Sequence, residues 1–93
     1  MQAIAALTPD YYSVSAAHTT SKTEVIKVTG NCTIDLNASP EENEIVTVIL
    51  DGATAVTVDG NGNTISGDAT FDFIADKESA RFLFNGSEWL LWD

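Results

Sequence analysis

The chain is short of the groups that usually staple or charge a small domain. Cys32 is its only cysteine, so no disulfide can form within it, and a cysteine-based metal site is not expected. Four Lys and Arg residues stand against 14 Asp and Glu, a formal net charge of −10. Nucleic acid is bound by neutralising its phosphates with basic side chains, so neither it nor an anionic membrane surface is an expected partner. His18 is the only histidine and lies well before Cys32. No Ser-His-Asp or Cys-His set is therefore expected, and His18 reads as an exposed residue. No apolar run approaches the roughly 18 residues of a membrane span. Met1 to Leu7 lacks the basic start and long apolar stretch of a signal peptide, so a soluble protein is expected.

What is present is enough for one domain and one core. A chain of 93 residues buries only about 60 to 65 % of its unfolded surface, which leaves its stability marginal unless something adds to it. With disulfides and cysteine-bound metals set aside, self-association is the remaining means. The carboxylates are spread along the chain, as on a solvated surface.

Residues 1–22 read as an N-terminal arm and 23–93 as a β domain. The arm is rich in Ala, Ser and Thr. Gln2 to Leu7 can form a turn or two of helix, ended by Thr8-Pro9 because a residue before proline is driven out of the helical region. Tyr11 and Tyr12 combine large apolar area with a polar tip, and are the candidate anchors if the arm docks on a partner.

From Thr23 the hydrophobic period is two. Strands are predicted at Glu24–Val28, Thr33–Leu36, Ile45–Leu50, Ala55–Val58, Asn63–Ser66, Thr70–Ile74, Ala80–Phe84 and Glu88–Trp92. Ser39-Pro40-Glu41-Glu42 carries a helix-start signal, Ser39 as cap and Pro40 in the first position, and predicts a single turn. Asp-Gly, Asn-Gly and Ser-Gly punctuate the strands and suit tight hairpins. The class is all-β: a compact antiparallel sandwich, a short barrel or a short solenoid, without a true sequence repeat.

Ile45 to Leu50 is apolar at successive positions rather than alternating, so it is expected to be covered on both faces. Trp89 and Trp92 are three apart and must point to opposite faces of one strand. One belongs in the core, and the other is either an exposed aromatic able to stack on a sugar or an interface anchor. Ile45, Val46, Val48, Ile49, Leu50, Trp89 and Trp92 are thus the candidate oligomer interface. Many carboxylate pairs exist, but they stand beside glycines or on predicted wet faces, where they do not suggest glycoside hydrolysis. Asp59-Gly60-Asn61-Gly62-Asn63 imitates the start of a calcium loop. Thr64 occupies the place of its expected glycine and Thr70 that of its bidentate Glu, so a turn is the better reading and no metal or cofactor is expected. The acceptor sequences at Asn31, Asn37 and Asn85 read as turn chemistry.

From Asn31 onward, about two thirds of the chain resembles a small β module of tailed-bacteriophage virion proteins: tail fibres, head fibres and capsid decoration proteins. The matching order is Thr33-Ile34-Asp35-Leu36, a Ser/Pro/Glu turn and the Ile45 to Leu50 strand. Val56-Thr57-Val58 follows, then Thr64-Ile65-Ser66-Gly67, Ala80 to Phe84 and a closing Asn85-Gly86-Ser87-Glu88-Trp89. The resemblance implies a non-enzymatic, typically trimeric virion protein bound to a capsid or tail protein. The chain begins at a methionine and holds little beyond the module, which favours a decoration or head-fibre protein over a tail-fibre module that recognises host surface glycan.

Overall fold

The computed structural model describes residues 9–92. Nine strands form two open sheets: β1 (Asp10–Val14), β2 (His18–Thr19), β3 (Glu24–Val28), β4 (Cys32–Asp35), β5 (Ile45–Leu50), β6 (Val56–Asp59), β7 (Thr70–Phe73), β8 (Ser79–Phe84) and β9 (Trp89–Trp92). The first sheet has the order β1-β3-β5-β8-β9, and the second β2-β4-β6-β7. No helix and no closed barrel occur among the described residues.

The connectivity departs from an antiparallel sandwich. Through β6 the chain alternates between sheets, and each strand pairs in parallel with the one two places on: β1 with β3, β3 with β5, β2 with β4, β4 with β6. These are three coils of a short two-sheet solenoid. The last three strands pair antiparallel, β7 on β6, β8 on β5 and β9 on β8, and close one end. The coils differ in length, so no repeat of fixed period marks them: Tyr12 pairs with Ile26 and Ile26 with Val48.

Side-chain alternation builds the core row by row. In the first sheet the inward rows are Tyr12, Ile26, Val48 and Ala80, then Val14, Val28 and Leu50, then Val46 and Phe82, with Phe84 beside Trp89. The second sheet answers with Ile34, Val58 and Phe71, and with Cys32, Val56 and Phe73. Phe71 meets Phe82 edge-on across the gap, with ring centroids 5.8 Å apart. Trp89 and Phe82 are fully buried, each contributing about 2 to 3 kcal/mol.

Several local expectations change. The helical turn expected over Gln2 to Leu7 lies outside the described residues. Asp10–Val14 and His18–Thr19, expected in an arm, are the first coil, because Val14 packs on the core and β1 finds a parallel partner in β3. The turn of helix at Ser39 is absent. Asn43 takes a positive φ of 74°, which no right-handed helix accommodates, and the Glu44 N–H donates to the Glu41 carbonyl at 3.1 Å. Asn63–Ser66 is not a strand: Ile65 alone bridges to Trp89 and Asp68 and is buried, while Ser66 and Gly67 both turn to positive φ. The Gly52 turn is a corner between sheets rather than a hairpin, whereas Gly86 lies in a true hairpin between β8 and β9.

Candidate functional site

The two outer faces are chemically opposite. On the second sheet the outward rows are Thr33, Thr57 and Asp72, and then Thr19, Asp35, Asp59 and Thr70. The segments Thr33-Ile34-Asp35, Thr57-Val58-Asp59 and Thr70-Phe71-Asp72 share one Thr-x-Asp pattern, whose middle residue enters the core. Thr57 donates its hydroxyl to Asp72 at 2.8 Å. This is a wet face.

On the first sheet the outward rows are Ile45, Leu83 and Leu90; Tyr11, Val25, Thr47, Arg81 and Trp92; and Ser13, Lys27, Ile49 and Ser79. None of these is a carboxylate, in a chain with 14 of them. Tyr11 is 61 % exposed, Ile49 37 % and Trp92 44 %. A groove of about 380 Å³ lies over β5 and β8, lined by Thr47, Ile49, Ser79, Ala80 and Arg81. The face's two cations are already engaged. Lys27 Nζ lies 3.5 Å from Asp51, and the Arg81 guanidinium lies 4.4 Å from the centre of the Trp92 ring.

This geometry divides the interface residues expected from sequence. Val46, Val48, Leu50 and Trp89 are at 0 % exposure inside the monomer, so they cannot touch another subunit. Ile45, Ile49 and Trp92 lie on the open outer face. The β5 run is thus covered on one side only within the chain. Its second apolar row is Ile45 and Ile49 with Thr47 between, which made it read as doubly buried. Tyr11 and Tyr12 also part: Tyr11 points outward, while Tyr12 turns inward, its ring 4.8 Å from that of His18. Val25, Leu83, Leu90 and Arg81 share the face with them. Tracking outward parity through β3, β8 and β9 would have found them, once the pairing was known.

His18 is half-buried rather than exposed, and it faces the most buried carboxylate of the fold. Its Nε2 lies 2.9 Å from Glu24 Oε1, and the Ser21 N–H and hydroxyl donate to Glu24 Oε2 at 2.9 and 3.4 Å. Glu24 is 1 % exposed. Ser21 bonds the carboxylate and not the imidazole, so the three groups do not line up as a Ser-His-acid relay. The network instead ties the first corner to the second coil. Glu44, also buried, takes up the Asn37 amide at 3.3 and 3.4 Å and the Glu41 N–H at 3.2 Å, and Asn37 Nδ2 donates on to the Ser21 carbonyl at 3.1 Å. Burial pushes the Cys32 thiol above its ordinary pKa.

The calcium-loop imitation folds as a turn. Asp59 Oδ1 accepts the Asn61 N–H at 2.7 Å, and the side-chain amides of Asn61 and Asn63 reach the Leu36 and Ala38 carbonyls of the preceding coil. Asn31, Asn37 and Asn85 likewise staple turns: Asn31 Oδ1 accepts the Thr54 and Ala55 N–H groups, and Asn85 Oδ1 those of Ser87 and Glu88. A cleft of about 270 Å³ lies at the closed end, lined by Phe71, Phe73, Glu78, Ser79, Ala80 and Leu91.

Searches against protein-family models and among curated proteins found no match for the chain.

Proposed function

We propose that the chain is a non-enzymatic structural protein of a bacteriophage virion, of capsid-decoration or head-fibre type, held on the capsid or tail surface as a homo-oligomer. The observation that carries this reading is the outer face of the five-stranded sheet, whose rows hold no carboxylate and bring Ile45, Ile49, Leu83, Leu90 and Trp92 together. A protein acting alone in water gains nothing from leaving Ile45, Ile49, Leu83, Leu90 and Trp92 on one surface, whereas a subunit of an assembly does. The order of motifs from Asn31 to Trp89 supplies the virion context, and their resemblance to trimeric phage modules favours three copies.

Electron microscopy of a phage particle carrying this protein tests the reading. Density for the protein on the capsid or tail surface is expected, and its absence from purified, infectious particles overturns the proposal. The exposed Trp92 and Tyr11 favour a second reading, a tail-fibre module that stacks host surface glycan. Arg81 already covers one face of the Trp92 ring. A glycan array on which the folded protein gives hits that vanish in Trp92→Ala would establish it.

A further inference from the structure

We infer that the free edge of β7 takes up an extended segment of another protein, alternating apolar and basic residues, as a fifth strand of the second sheet. The inference is independent of the virion reading. The first sheet has five strands and the second four. Leu91 shows the shortfall. It lies on the inward row with Val46 and Phe82, yet is 39 % exposed, because no strand of the second sheet stands opposite β9. The cleft of about 270 Å³ bounded by Leu91, Phe71 and Phe73 occupies that place. It falls below the roughly 300 Å³ at which small-molecule pockets begin, and suits an aliphatic side chain delivered by a strand.

The backbone beside the cleft is open. The Gly60 N–H donates to the Ala69 carbonyl at 3.0 Å, and bonded and unbonded pairs alternate along an antiparallel ladder. Val58 with Phe71 and Val56 with Phe73 are therefore the bonded pairs, and Thr70 and Asp72 turn their N–H and C=O groups away from β6. Such an edge is a template for strand addition. The edge of β9 is already covered: Trp89 exchanges backbone hydrogen bonds with Thr64 and Ser66, and the Ser66 hydroxyl accepts the Leu91 N–H. β1 leaves Tyr11 and Ser13 free in the same way, but there the two sheets end together, at β1 and β2.

Charge selects the occupant. A strand on β7 points alternate side chains into the cleft and outward, beside Asp72 and the row of Asp35 and Asp59. The strands of the second sheet hold no Lys or Arg, and Glu78 lines the cleft. Basic residues at the outward positions pair with these carboxylates across the strands, and acidic ones are repelled. A second copy offers no such strand. Its free edge, β1, reads Asp-Tyr-Tyr-Ser-Val without a basic residue, on a body of net charge −10.

The full chain, titrated with an acetylated and amidated peptide of alternating Val and Lys about eight residues long and followed by NMR and amide hydrogen exchange, tests this. The Thr70 and Asp72 amides should exchange fast in the free protein and become protected at saturation, while those of Tyr11 and Ser13 stay fast. A peptide of the same composition with Val and Lys in separate blocks should bind at least about tenfold more weakly, as should one alternating Val and Glu. Asp72→Pro removes an outward N–H without breaking a bond to β6 and should abolish binding. Ser13→Pro, the same change at the β1 edge, should leave it intact. Leu91→Glu, at a half-exposed position, should weaken it about tenfold.

Absence of saturable binding by the alternating peptide overturns the inference. So does equal binding of the separated-block peptide, or protection at Tyr11 and Ser13 in place of Thr70 and Asp72. Protection of Thr70 and Asp72 in the protein alone, rising with its concentration, makes a second copy the occupant and overturns it too. The virion reading is judged by particle microscopy and is untouched by any of these results.

Discussion

At the scale of single residues, the fold depends on a few buried polar groups whose partners lie on neighbouring coils. Glu24 is one. Replacing it by alanine leaves His18 Nε2 and the Ser21 N–H without their acceptor, and is expected to lower unfolding free energy by about 1 to 3 kcal/mol in urea titrations, the range for leaving buried hydrogen-bonding groups unpaired. Cys32 is half-buried against the core. Its thiol is raised by desolvation, so less thiolate is present at neutral pH, and alkylation by iodoacetamide should run well below the rate of the urea-unfolded chain. Equal rates for folded and unfolded protein would show that the thiol is open. Asp51 is the surface counterpart. The hydrogen bond and charge of Lys77, reinforced by Lys27, lower its pKa. A depressed carboxylate contributes stability above its unfolded pKa and loses it as pH falls through the folded one. Asp51→Asn should therefore lower the urea midpoint slightly near pH 7, and the difference should shrink as pH falls through the range in which the carboxylate is protonated. Little of this was legible beforehand. Glu24 opens a strand like any surface glutamate, and only the parallel placement of the first coil on the second brings His18 and Ser21 against it.

Among elements, the corners matter more than the strand interiors. Gly60 lies where Thr20 and Leu36 lie on the earlier coils, continuing their inward row. A Cβ built there would fall inside the contact distance of the Asn63 carbonyl oxygen, which is backbone and cannot swing aside. Gly60→Ala is expected to destabilise by roughly 2 kcal/mol or more, read as a lower thermal midpoint. Gly62→Ala, where no atom stands near the new carbon, should cost less and reflect only its positive φ. The strands themselves were readable from period-two alternation, and seven of the predicted segments overlap strands of the structure. Their pairing was not. Asp-Gly and Asn-Gly signal a reversal, but a solenoid corner and a hairpin use the same dihedrals. What separates them is where the next strand can bury its inward row, and that depends on partners distant in sequence.

Across the whole molecule, sidedness is the dominant property: a Thr/Asp face, a face whose strand rows hold no carboxylate, and a core of Ile, Val, Leu, Phe and Trp between them. The amino-acid sequence alone determined the all-β class, the positions of most strands and turns, the acidic character, and the opposed directions of Trp89 and Trp92. Each of these follows from composition or from alternation within a few residues. Only the tertiary structure decided that the first coil is part of the fold. It also placed Val46, Val48 and Leu50 inside while Ile45 and Ile49 stay outside, and assembled Tyr11, Val25, Arg81, Leu83 and Trp92 on one surface. Alternation says that neighbours in a strand face opposite ways, but not which way is in. That choice is made by the opposing sheet, whose Ile34, Val58 and Phe71 come from segments separated widely along the chain.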